Sequence, residues 1–256
     1  MSHAQEHGRF IWTELLSRDP EAAVAFYCAV LGWTTETMPM AEGSYTMWAA
    51  NGAPHSGLFS MPEEMEARAS WLPYVGVDDV DGAVLRCMEE GGAVLVEARE
   101  LPGVGRFAVL ADPSGVSFAV YRSANPQPPA GGLPPIGEFS WRELATTGID
   151  RACDFLQEMF GWERGPAHDM GPAGVYQLLV RGGSPPFAGL FLAQGDAPPS
   201  WTSYVRVADL EATVAAVERH GGGVMVPPMD VPGGDRIAVC SDPEGAFFGL
   251  HWIGTA

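Results

Sequence analysis

The sequence predicts an α+β protein of two tandem domains, each a pair of β-α-β-β-β modules. Three observations carry this. A long series of residues recurs in order at an offset of 129–130. A proline- and glycine-rich stretch separates the two copies, and within each copy the same succession of strand, helix and three further strands is written twice.

The recurrence is detailed. Phe10-Ile11-Trp12-Thr13-Glu14-Leu15 returns as Phe139-Ser140-Trp141-Arg142-Glu143-Leu144, and Leu31-Gly32-Trp33 as Phe160-Gly161-Trp162. Trp71, Tyr74, Val75, Val77 and Asp79 return as Trp201, Tyr204, Val205, Val207 and Asp209. Gly91-Gly92, Pro102-Gly103, Arg106 and Asp112-Pro113-x-Gly115 return as Gly221-Gly222, Pro232-Gly233, Arg236 and Asp242-Pro243-x-Gly245. The copies are assigned to residues 10–122 and 139–253, with an N-terminal tail over 1–9 that holds His3 and His7. Residues 123–138, with five prolines and three glycines, read as a semi-extended linker.

In the first copy Phe10–Leu16 reads as a strand. Asp19 is an N-cap and Pro20 a first-turn residue for a helix to Leu31, which Gly32 stops. Three short apolar segments follow, Trp33–Met38, Ser44–Ala50 and Gly57–Met61. The scheme then restarts with a strand over Leu72–Val77, a helix from Asp79 to Glu90 stopped by Gly91-Gly92, and strands over Ala93–Glu97, Gly105–Leu110 and Val116–Tyr121. Asp112-Pro113-Ser114-Gly115 places Pro and Gly where a hairpin turn takes them.

Composition narrows the function. The chain has 256 residues and a net charge of −18, which opposes contact with nucleic-acid phosphate or anionic lipid. All 14 basic residues are Arg, so phosphate-loop, Schiff-base and general-base lysines are excluded. No Gly-x-Ser-x-Gly and no dinucleotide glycine fingerprint is present. Cys28, Cys87, Cys153 and Cys240 are widely spaced within apolar segments and read as reduced core residues. No signal pattern and no membrane-length apolar run appear, so a cytoplasmic protein is expected.

The paired modules, the Gly-Trp helix stop and the Asp-Pro-x-Gly hairpin resemble the vicinal oxygen chelate superfamily, which includes glyoxalase I, extradiol dioxygenases and bleomycin-resistance proteins. Within it the chain resembles a tandem-domain branch called glyoxalase-like or hydroxylase-like. The resemblance implies that each pair of modules curls into an open, barrel-like cleft. It also implies a divalent metal held by His and Glu or Gln on the first, fourth, fifth and eighth strands of a domain. Those positions correspond here to Trp12, Gly57, Leu72 and Ala119, and to Trp141, Gly189, Thr202 and Gly249. Indole, aliphatic groups and glycine supply no ligand electrons and Thr202 offers only a weak hydroxyl, so no family metal site and no cofactor are expected. A metal held instead by Glu14, His55 or His251 has no supporting spacing.

Strand alternation puts residues two apart on one face. Glu14 then joins Trp12, Glu143 joins Trp141, and Tyr74, Tyr121, Tyr204, Arg206 and His251 face the clefts too. Glu14, Glu143 and His251 are the candidate catalytic residues, with structural roles as the plainer alternative: carboxylates holding strands in register and an edge histidine. Trp12, Trp48, Tyr74, Tyr121, Trp141, Tyr204 and Arg206 are candidate ligand-binding residues, with Trp201 a further wall candidate, Met38, Met40 and Met47 as filler, and Arg206 placed to neutralise Glu143. His55 and His168 fall in expected loops, and Arg106 and Arg236 read as ion-pair residues. The expectation is a small-molecule binding or sequestering protein for a planar or apolar ligand, monomeric or weakly dimeric. The alternative is a metal-independent acid-base enzyme or a metalloenzyme with relocated ligands.

Overall fold

The computed structural model describes residues 6–39, 44–126, 131–195 and 197–254. Met40 and His3 lie outside the described residues, as do 127–130 of the linker. The first module runs β1 (Phe10–Ser17), α1 (Pro20–Leu31), β2 (Thr34–Pro39), β3 (Ser44–Ala50) and β4 (Ala53–Ser60). The second runs β5 (Ser70–Gly76), α2 (Val80–Glu89), β6 (Ala93–Leu101), β7 (Gly105–Ala111) and β8 (Ser117–Ser123). The third has β9 (Phe139–Thr146), α3 (Ile149–Phe160), β10 (Glu163–Asp169), β11 (Val175–Val180) and β12 (Ala188–Leu192). The fourth has β13 (Ser200–Arg206), α4 (Leu210–Arg219), β14 (Gly223–Asp230), β15 (Arg236–Ser241) and β16 (Phe247–Trp252).

The helix ends follow from local chemistry. The Asp19 carboxylate accepts the Ala22 N–H at 3.0 Å, and Asp79 and Asp209 cap α2 and α4 in the same way. Gly32 and Gly161, both at φ +68°, end α1 and α3 in the left-handed region that glycine adopts without strain. Two strands are longer than the alternation indicates: β4 begins four residues before Gly57 and β6 runs four past Glu97. Both cross register shifts, where a bulge interrupts the period of two that marks a strand in sequence.

Hydrogen bonding orders the strands β2-β3-β4-β1-β5-β8-β7-β6 and β10-β11-β12-β9-β13-β16-β15-β14, two eight-stranded sheets with free ends and no closed barrel. The four pairs β1–β4, β5–β8, β9–β12 and β13–β16 are parallel.

Apolar packing divides the chain differently from the repeat. Unit I gathers the described residues of Met1–Ile11, Leu72–Gly131 and Arg142–Trp201, and unit II those of Trp12–Trp71, Gly132–Trp141 and Thr202–Ala256. In unit I, Val75, Leu110, Phe118 and Val120 of the second module share one core with Leu144, Phe155, Phe160 and Trp162 of the third. In unit II, Leu15, Phe26, Tyr27 and Trp33 of the first module share a core with Val205, Leu210, Phe248 and Leu250 of the fourth. A single module has one helix against one sheet face and needs a second module to enclose its apolar side.

The tryptophans after the helix stops each anchor an incoming segment. In unit I the Trp162 indole donates to the Gly8 carbonyl at 2.8 Å, the Gly8 N–H donates to the Gly76 carbonyl at 2.9 Å, and the Gly76 N–H donates to that of Arg9 at 2.8 Å. The expected tail is therefore docked from Glu6 onward. In unit II Trp33 donates to the Gly137 carbonyl at 2.7 Å, and Gly137 and Glu138 pair with Arg206, so the end of the expected linker is fixed as well. Arg106 pairs with Asp81 at 2.7 Å and Arg236 with Glu211 at 2.6 Å, the ion pairs expected of the two arginines. The four cysteines are free, with Cys87, Cys153 and Cys240 buried.

Candidate functional site

Parallel pairing sets Glu14 opposite Gly57 in unit II and Glu143 opposite Gly189 in unit I. The glycines are required there by a neighbour. A Cβ on Gly57 would lie 1.8 Å from the Tyr45 hydroxyl, and one on Gly189 would lie 2.2 Å from the Tyr176 hydroxyl. Each tyrosine reaches through the space so left and donates to its carboxylate, Tyr45 to Glu14 Oε1 at 2.7 Å and Tyr176 to Glu143 Oε1 at 2.6 Å. Short O–H···O⁻ bonds of this kind are the strong, charge-assisted class. In unit II the Trp12 indole N–H also donates to the Tyr45 oxygen at 3.1 Å, giving an indole–phenol–carboxylate chain. In unit I the Tyr176 ring stacks on Phe191, with centroids 6.3 Å apart. Glu14 is buried, while Trp12, Tyr45, Tyr176 and Glu143 are half-buried and open toward solvent.

The same substitution of ring for side chain recurs at Gly249, where a Cβ would meet the Tyr204 ring at 2.1 Å. At Gly57, Gly189 and Gly249, therefore, even a methyl group is excluded while the tyrosines keep their places. Among the described residues no three His, Cys, Asp or Glu side chains are grouped so as to hold a metal ion. At Gly57, Gly189 and Gly249, three of the positions that the resemblance aligns with metal ligands, an aromatic ring fills the volume that a ligating side chain would need.

Several expected residues stand elsewhere. Trp48 has no exposed surface and packs with Tyr27, Trp33 and Trp71 in the core. Tyr204, 2% exposed, likewise serves packing over Gly249. Trp201 is buried among Phe10 and Trp162. Tyr74 is buried beside Phe107 and Tyr121, and the Tyr121 hydroxyl donates to the Val104 carbonyl at 2.7 Å. Arg206 donates to the Pro134 carbonyl at 2.8 Å, and Glu143 accepts from the Tyr176 hydroxyl. Trp141 is half-buried on β9, Met38 is exposed and Met47 half-buried. His55 is not a loop residue: it lies on β4 with its ring 4.6 Å from Trp33, and His168 lies on β10.

His251 is buried in unit II, and Ser140 and Asp235 were not among the expected residues that meet it. Nδ1 lies 2.9 Å from the Ser140 hydroxyl and Nε2 lies 3.2 Å from the Asp235 carboxylate. Burial pulls the imidazole below its usual pKa, against the opposing pull of Asp235. Tyr45 and Tyr176 were also missed, although they recur at an offset of 131, beside the 129–130 that carries the rest of the repeat.

Residues 12–121 match the model of the Glyoxalase-like domain, and residues 138–250 match that of the Glyoxalase/Bleomycin resistance protein/Dioxygenase superfamily. The chain is 33% identical over 256 residues to the anthracycline biosynthesis protein DnrV of Streptomyces peucetius, with 93% of this chain and 91% of the relative covered. It is 30% identical over 250 residues to "Putative glyoxylase CFP32" of Mycobacterium tuberculosis (strain CDC 1551 / Oshkosh), covering 93% and 92%. The fold is similar to that of a Mn(II)-bound glyoxalase from Novosphingobium aromaticivorans, with a TM-score of 0.65, 16% identity and coverage of 96% of this chain and 82% of that one. It is also similar to the 2,2',3-trihydroxybiphenyl 1,2-dioxygenase of Sphingomonas wittichii strain RW1, with a TM-score of 0.69, 13% identity and coverage of 97% and 91%.

Proposed function

This chain belongs to the Glyoxalase/Bleomycin resistance protein/Dioxygenase superfamily, and from that premise we propose that it binds a planar aromatic small molecule without using a metal. The observation that carries the reading is the tyrosine hydroxyl set against a carboxylate where a glycine leaves room for the ring, once with Glu14 and once with Glu143. A half-buried phenol–carboxylate pair supplies a donor and an acceptor of fixed direction, and Trp12 beside the first pair supplies an aromatic surface. Stacking would contribute affinity and the polar pair would orient a hydroxyl or carbonyl of the ligand. The relative named for anthracycline biosynthesis directs the choice toward fused-ring hydroxyquinones.

The test is a titration of EDTA-treated protein with a hydroxyanthraquinone, followed by tryptophan fluorescence. Saturable quenching that is insensitive to added Mn²⁺ is expected, with Tyr45→Phe weakening it by about tenfold, the effect of one hydrogen bond to a charged group. Binding that appears only after Mn²⁺ or Fe²⁺ is added would overturn the metal-free reading.

A second reading, an acid-base enzyme, is favoured by the 2.6–2.7 Å Tyr-to-Glu bonds, which are direct proton paths. Product formation by the metal-free protein, lost in Glu14→Gln or Glu143→Gln, would select it over simple binding.

A further inference from the structure

We propose that Ser140, His251 and Asp235 form an acyl-transfer site for aryl esters, with Ser140 as the nucleophile. The three come from separate parts of unit II: Ser140 near the start of β9, His251 near the end of β16, and Asp235 in the turn before β15. Their distances, 2.9 Å from Ser140 Oγ to Nδ1 and 3.2 Å from Nε2 to Asp235 Oδ2, are those of a nucleophile held by a base that a third group orients. The ring is used in the opposite sense to the familiar protease arrangement, with the serine on Nδ1 and the carboxylate on Nε2.

The hydrogen bonds assign the protons. Asp235 accepts, so Nε2 carries the hydrogen and Nδ1 presents its lone pair to the Ser140 hydroxyl. Asp235 is itself held, its other oxygen accepting the Gly254 N–H at 3.0 Å. The second possible acceptor for Ser140, the Tyr204 carbonyl, is farther off at 3.4 Å. Arg206, which also faces the imidazole, works with burial to keep it neutral. The Ser140 side is half-buried and Asp235 keeps 29% of its side chain exposed, so the cluster lies at the solvent boundary.

The fold does not require these residues. The corresponding positions of the first copy are Ile11, Gly105 and Tyr121. There a Cβ on Gly105 would meet the Tyr121 ring at 2.7 Å, so the tyrosine occupies the space with no titratable pair. A buried imidazole with a carboxylate costs desolvation that the aromatic solution avoids, which separates the cluster from scaffolding.

In the reaction, the Ser140 proton passes to Nδ1 as Oγ bonds the ester carbonyl carbon. The ester C–O bond then breaks, the phenol leaves with the proton from Nδ1, and Oγ retains the acyl group. Water, deprotonated by the same nitrogen, releases the carboxylic acid and restores the hydroxyl.

The full chain is treated with p-nitrophenyl acetate, p-nitrophenol release is followed, and the acetylated residue is mapped by peptide mass spectrometry. A burst of about one equivalent with acetyl on Ser140 is expected. The burst is lost in Ser140→Ala and slowed by about 100-fold or more in His251→Gln. Circular dichroism checks that the variants are folded, and the site mapped in the unaltered protein decides the matter if they are not. No burst, acetyl on any residue other than Ser140, or an undiminished burst in folded Ser140→Ala overturns the proposal.

Discussion

The Tyr176 hydroxyl lies 2.6 Å from Glu143 Oε1 in the volume that a side chain on Gly189 would occupy. The glycine, the phenol and the carboxylate thus depend on one another, and the triplet recurs with Gly57, Tyr45 and Glu14 in unit II.

Gly189→Ala and Gly57→Ala are expected to push the tyrosine off its carboxylate. Overpacking of this kind costs about 1–3 kcal/mol. Urea unfolding should show a lower midpoint for each variant at an unchanged slope, and quenching by the hydroxyanthraquinone should weaken for Gly57→Ala. A variant as stable as the parent would mean that the tyrosines move freely.

Trp162→Phe keeps a ring but removes the donor to the buried Gly8 carbonyl, and Trp33→Phe does the same to Gly137. Each should lose about 1–3 kcal/mol, the cost of an unpaired buried acceptor. Hydrogen exchange should report faster opening of residues 6–9 in the first variant and of 136–139 in the second.

The pH dependence has two opposed parts. His251 is held below its ordinary pKa by burial, so its contribution is full above the unfolded value of about 6.5 and is lost as pH falls through the folded value. Asp112 and Asp242 are raised, chiefly by burial, so their contribution is present below the unfolded value of about 3.9 and is lost as pH rises through their folded values. Thermal unfolding of the parent should therefore drop below about pH 6.5, and His251→Gln should flatten that part of the curve. An unchanged slope in the variant would assign it to other groups.

Burial pushes the Cys87 thiol up to about 11 and that of Cys240 up to about 12, and it also raises those of Cys153 and Cys28. At pH 8 the native protein should release little thionitrobenzoate from Ellman's reagent, with Cys28, the one cysteine that is not fully buried, reacting first. All four should react in guanidinium. Rapid native reaction of Cys87 or Cys240 would show that its unit opens readily.

The sequence alone determined the repeat, the succession of strands and helices, the cap at Asp19, and the shared face of Trp12 and Glu14. Each of these depends on neighbours a few residues apart, or on copies that can be compared letter by letter. Which modules share a core was decided only in three dimensions, since periodicity marks the buried face of β5 or α2 without saying what covers it. The same holds for Tyr45 on Glu14, for Trp48 in the core, and for Ser140 and Asp235 on His251. Those contacts join residues 16–111 positions apart through β-pairing and side-chain direction, and no local pattern encodes such distances.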